Sequence, residues 1–136
     1  MLERLAAVAG RYETLAQRLK RHAGLCTYPN IKAGLECLAE AEAGQANTLR
    51  GILADLGTSP RLAETPPHDG SSNWERASAD LALQTELFRE LNTQVVEWEG
   101  VDPKMAAQLR EFLDGEDRNA GTLRDLALKC DPQALD

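Results

Sequence analysis

Residues 42–52 read EAGQANTLRGI and residues 116–126 read EDRNAGTLRDL, so the pattern E-x-x-[Q/N]-A-x-T-L-R-x-[I/L] occurs twice, 74 positions apart. Glu42, Gln45, Ala46, Thr48, Leu49, Arg50 and Ile52 match Glu116, Asn119, Ala120, Thr122, Leu123, Arg124 and Leu126. Such self-similarity reads as the trace of a duplication. On a helix, residues three apart share a face, so each Glu and its amide reach a common point. That spacing belongs to metal sites inside helical bundles, where Glu-x-x-His occurs twice because a carboxylate and an imidazole together hold a divalent cation. Gln45 and Asn119 offer only a neutral carbonyl oxygen there, which is a poor replacement.

Outward from the repeat, apolar residues three and four apart predict four helices, and no segment alternates as a strand does. The first covers about 2–23, with Leu5, Val8, Tyr12, Leu15 and Leu19 on one stripe and Gly24 as its stop. The second, about 29–57, opens on Pro29, whose fixed φ suits a first turn, and ends at Gly57 and Pro60. The third, about 73–100, starts from Ser72, three residues before Glu75 as in a capping box, with an inward stripe of Leu81, Gln84 or Thr85, Phe88, Leu91 and Val95. The fourth, about 102–130, starts at Asp102-Pro103 and stops at Asp131-Pro132. The first and last connections are a few residues long and force antiparallel hairpins. The middle one, TSPRLAETPPHDGSS over 58–72, has 15 residues. At about 3.3 Å each it spans roughly 50 Å, against about 40 Å for the second helix. It can therefore cross the whole bundle and leave helices 2 and 3 parallel.

Two antiparallel hairpins joined by a long crossover, with E-x-x-amide repeated in helices 2 and 4, resemble the ferritin-like superfamily of rubrerythrin- and ferritin-type bundles. The likeness spans residues 1–136 as one all-α domain. It implies a pair of iron ions held by carboxylates and two Glu-x-x-His contributions, with oxygen activation or iron oxidation as the activity. Glu42 and Glu116 match the bridging carboxylates, and Gln45 and Asn119 occupy the histidine positions. Helices 1 and 3 should each add a carboxylate, yet aligning Tyr12 with Phe88, Leu5 with Leu81 and Leu15 with Leu91 puts none on the inward stripe. The expectation is a noncatalytic bundle that has lost its di-iron chemistry, without a cofactor, serving in binding or assembly. Bundles of this type often pair through helix faces, so a homodimer or a protein partner is expected. Two alternatives stay open. One is a metal-binding or iron-oxidising protein with a rearranged site on Glu42 and Glu116, helped by Glu13, Glu86 or Asp117 and holding a divalent metal weakly. The other is a small-ligand carrier with a cavity where the metals sat.

Composition narrows the rest. With 136 residues, 43% hydrophobic, the chain is sized for one core, and no apolar run approaches the 18 or so residues of a membrane span. No charged-then-apolar leader opens it, since Arg4, Arg11 and Glu13 interrupt the apolar positions, so a cytoplasmic location is expected. A net charge of -7 disfavours nucleic acid and anionic lipid. Cys26, Cys37 and Cys130 have neither disulfide nor zinc spacing. Arg18, Lys20, Arg21 and His22 suit the C-terminal end of a helix. His22 and His68 sit beside no plausible nucleophile, which argues against Ser or Cys catalysis. No glycine-rich phosphate loop is present. Interior glycines at 34, 44, 51, 115 and 121 raise the question of close helix packing.

Overall fold

The computed structural model describes residues 1–62 and 69–130; His68 and the expected Asp131-Pro132 stop lie outside the described residues. The described residues form four helices: α1 Leu2–Leu25, α2 Pro29–Asp55, α3 Asn73–Glu99 and α4 Pro103–Cys130. Their ends follow the local chemistry. Pro29 opens α2. The Glu75 amide donates to Ser72 Oγ at 3.1 Å, and the Glu75 carboxylate accepts from the Ser71 amide at 2.7 Å, so α3 starts in a reciprocal cap shifted back by one residue. Asp102 Oδ1 accepts from the Lys104 and Met105 amides at the head of α4. Gly57, with φ of 81°, terminates α2 as expected. Gly24 does not stop α1, which runs on to Leu25 and breaks at extended Cys26.

α1 lies along α2 and α3 along α4, with thinner seams between α1 and α3 and between α2 and α4; the diagonal backbones stay apart. Cross-helix contacts fix the directions. Arg4 meets Glu97, Arg11 meets Glu86 and Arg21 meets Asp69, so α3 runs against α1. Arg50 of α2 meets Glu13 of α1. With α1 and α2 joined as an antiparallel hairpin, α2 and α3 are parallel. The Arg61 amide donates to the Ala6 carbonyl at 2.9 Å, beside the start of α1, while Asp69 sits at the end of α1. The chain thus changes ends between α2 and α3. Gly10 permits its close passage, because a Cβ there would lie 2.0 Å from the Arg61 carbonyl oxygen.

The core is built from Leu5, Val8, Leu15 and Leu19 of α1, Leu35, Leu38, Leu49 and Leu53 of α2, Leu87 and Leu91 of α3, and Leu109, Phe112 and Leu123 of α4. Tyr12 bridges the diagonal by meeting Phe112 edge-on, ring centroids 6.1 Å apart. The inward stripe expected for α3 holds at Gln84, Leu91 and Val95 and is corrected at Leu81 and Phe88. Ala77, Asp80, Gln84, Leu87, Leu91, Gln94, Val95 and Trp98 are buried, whereas Leu81 and Phe88 are only half-buried. The buried positions of the two helices align Tyr12 with Gln84 rather than with Phe88. Among the interior glycines, 34 and 115 allow close approach, to Leu126 and to Gln45; a Cβ at 44, 51 or 121 would meet nothing.

Candidate functional site

The two copies of the repeat converge at mid-height. Glu42 of α2 and Glu116 of α4 are fully buried, because the antiparallel α2/α4 seam turns both inward at the same level. Asn119 Nδ2 donates to Glu42 Oε1 and, at 3.4 Å, to Glu116 Oε1. Gln84 Nε2 of α3 donates to Glu116 Oε2 at 3.2 Å. Gln84 is buried, and Tyr12 brings its hydroxyl from α1, so all four helices contribute at one level.

Burying two carboxyls side by side decides their protonation. Burial, then the hydrogen bond and charge of Glu116, push the Glu42 carboxyl up to about 10. Burial raises Glu116 as well, opposed by hydrogen bonds from Glu42, Gln84 and Asn119. The pair shares a proton near neutral pH. Glu42 is the better placed to hold it, since Glu116 receives both amide groups and Glu42 only one. Burial first, then the charges of Glu116 and Glu42, raise the Tyr12 hydroxyl far above its ordinary value. Three buried atoms here have no hydrogen-bond partner among the described residues: the Tyr12 hydroxyl, Glu42 Oε2 and Gln84 Oε1. For Glu42 Oε2, the shared proton supplies the missing interaction with Glu116.

Three of the four residues singled out from the repeat come together, Glu42, Glu116 and Asn119. Gln45 does not join them by a hydrogen bond; its amide nitrogen lies over Gly115, in a half-buried position lining the α2/α4 groove beside Asn119. The helpers named for a rearranged site are elsewhere. Glu13 is paired with Arg50 and Glu86 with Arg11, while Asp117 is exposed. Arg50 is thus the interhelix ion-pair residue expected, and Arg124 lies exposed at the surface. Tyr12 and Gln84 were the members not read as a site. Both lay on apolar stripes in the sequence, and only the packing of the helices reveals that both stand beside the carboxyl pair.

A second buried polar pair was also missed. His22 is buried, and its Nδ1 lies 2.5 Å from Asp80 Oδ2, so it is no surface cation at the end of α1. Asp80 is an acidic residue on the inward stripe of α3, contrary to the expectation of none, but it faces His22 rather than Glu116. No cluster of three or more His, Cys, Asp or Glu side chains able to hold a metal occurs among the described residues. Cys26, Cys37 and Cys130 are free. Trp98 is buried with its indole N–H on Gln94 Oε1, and Trp74 is exposed.

Fold and site together define an all-α four-helix bundle with a carboxyl–amide cluster sealed at its centre. No helix among the described residues is long and apolar enough to cross a membrane. No protein-family model matches the chain, and none of the curated proteins compared with it matches significantly.

Proposed function

We propose that this chain is a noncatalytic bundle of ferritin-like descent in which an amide-bonded carboxyl pair has replaced a di-iron centre, and that it serves as a binding or assembly module. The observation that carries this reading is the direction of the amides. Asn119 and Gln84 turn their N–H groups toward Glu42 and Glu116, so three of the four carboxyl oxygens meet amide donors rather than being left as a ring of acceptors. A di-iron centre does not fit these residues. It needs imidazole nitrogens at 45 and 119 and further carboxylates from α1 and α3, where Tyr12 and Gln84 stand instead. A hard cation accepting an oxygen-only shell is the competing reading, and the unpartnered Gln84 Oε1 and Tyr12 hydroxyl are what favour it.

Elemental analysis of the purified protein separates the two, with iron, manganese, zinc and calcium titrations of wild type and of Glu42→Ala/Glu116→Ala. The proposal expects no stoichiometric metal and no saturable difference between the proteins. Two irons per chain, or one calcium or manganese lost in the double variant, would overturn it. The assembly part is tested by sedimentation: a self-association or a captured partner supports it, and a strict monomer with no partner removes it.

A further inference from the structure

α2 and α3 are parallel, so both begin at the bundle end where α1 and α4 finish, and the four termini there frame a cavity of about 810 Å3. That volume is in the range of pockets that take a drug-sized molecule. Its walls are of two kinds. Tyr28 and Trp74 present aromatic surface, with Ile31 and Leu25 beside them; Tyr28 is 60% exposed and Leu25 46%. The polar wall holds two cations, Arg76 and Lys129, and no Asp or Glu among the described lining residues. In a chain of net charge -7 this is an unusual segregation.

Among the described residues neither cation makes an ion pair, although the nearby Asp69 carboxylate feels the charge of Arg76 as well as that of Arg21. Arg76 is half-buried and donates to two uncharged oxygens, the Asp69 carbonyl at 3.1 Å and Asn73 Oδ1 at 2.5 Å. The Asp69 carboxylate is gripped at both oxygens by Arg21, at 2.6 Å each. Lys129 is exposed in the last turn of α4 and makes no ion pair among the described residues. Arg76 is held by these two bonds and lines the cavity, and a half-buried guanidinium with N–H groups to spare makes charge-assisted bonds to an oxyanion. We propose that this cavity is a binding site for a small organic anion carrying an aromatic ring, its carboxylate, sulfonate or phosphate group held by Arg76 and Lys129 and its ring lying against Trp74 and Tyr28. The site lies away from the carboxyl cluster and stands whether or not that cluster holds a metal. It also differs from a carrier cavity at mid-height, where Tyr12, Phe112 and Gln84 fill the space.

The probe is 1-anilinonaphthalene-8-sulfonate, with N-phenyl-1-naphthylamine as its counterpart lacking the sulfonate, titrated into the full chain under native conditions and followed by dye and tryptophan fluorescence. The expected result is saturable one-to-one binding that quenches Trp74, weakens with salt, and is about a hundredfold tighter than for the neutral dye, as two charge-assisted contacts imply. Lys129→Gln should weaken the sulfonate about tenfold and leave the neutral dye unchanged. Lys129 is exposed, so this variant does not depend on how Arg76→Gln folds. Trp74→Ala should weaken both dyes, and Val101→Ser, at the opposite end, neither. Equal affinity for the two dyes, unsaturable uptake, or indifference to Lys129→Gln and Trp74→Ala overturns the proposal. So does binding that appears only after residues 131–136 are deleted, which would assign the cavity to the chain's own acidic end.

Discussion

Glu42 and Glu116 have the same side chain and the same burial, yet their substitutions should behave differently. A glutamine at 42 copies the protonated acid: its oxygen still accepts from Asn119, and its nitrogen donates to Glu116 as the shared proton does. Glu42→Gln is expected to stay within about 0.5 kcal/mol of wild type in urea unfolding at neutral pH. Glu116→Gln removes an acceptor from a position facing Gln84, Asn119 and the Glu42 proton, and one buried donor left unmet costs about 1–3 kcal/mol. A larger loss for Glu42→Gln than for Glu116→Gln would reverse the proton assignment. The Tyr12 hydroxyl is buried without a partner, so Tyr12→Phe removes a desolvated group and is expected to be neutral or to gain up to about 1 kcal/mol. A clear loss in the same unfolding experiment would show that this hydroxyl bonds a carboxylate in solution. Glu42, Glu116 and Asn119 were legible because the repeat marks them twice. Tyr12 and Gln84 were not, since nothing in a local pattern tells a buried polar residue lying on a stripe from a tolerated surface one.

At the scale of helices, α1 is tied to α3 by a buried pair and is passed closely by the 58–62 segment at Gly10. His22 and Asp80 tie the end of α1 to the start of α3, and removing one member costs about 1–3 kcal/mol because a buried polar atom of the other loses this hydrogen bond. Asp80→Ala should therefore be destabilised by that amount in urea unfolding, while His22→Leu with Asp80→Leu should recover most of the loss; a double variant as unstable as the single one would refute this account. Gly10→Ala is expected to push 58–62 off α1, because its Cβ would fall 2.0 Å from the Arg61 carbonyl. The checking measurement is hydrogen exchange of the Arg61 amide, which should lose protection, with a cost of about 1–3 kcal/mol from overpacking. Helix number, the starts of α2, α3 and α4 and the hairpins were readable from periodicity, Pro29, Ser72 and Asp102. The register of α3 was not. Its true inward stripe carries Asp80, Gln84 and Gln94, and a reading by apolarity moves to Leu81 and Phe88, one turn away from the level where Gln84 meets Glu116.

For the molecule as a whole, the carboxyl pair sits on the thin α2/α4 seam, so its protonation bears on how the two hairpins hold together. Glu42 is held up to about 10 in the folded chain and returns to about 4.3 when unfolded. Between those limits the folded state binds a proton that the unfolded state has released, so stability falls as pH rises. The contribution is full below the ordinary carboxyl range and is lost on passing about 10, with a slope approaching about 1.4 kcal/mol per pH unit for one proton. Asp69 acts in the opposite sense: its hydrogen bond from Arg21 holds it low, so what it contributes is lost on acidification. It is exposed and screened, which makes its share small. The observable is therefore the difference between wild type and Glu42→Gln, which cancels Asp69 and the other surface pairs. Urea unfolding between about pH 6 and about pH 9 should show wild type losing ground steadily to a variant that has no proton to release. Parallel stability curves would mean that Glu42 is ionised in the folded chain, and the proton would have to be replaced by another positive charge at the centre of the bundle, which is the metal-bound reading restored.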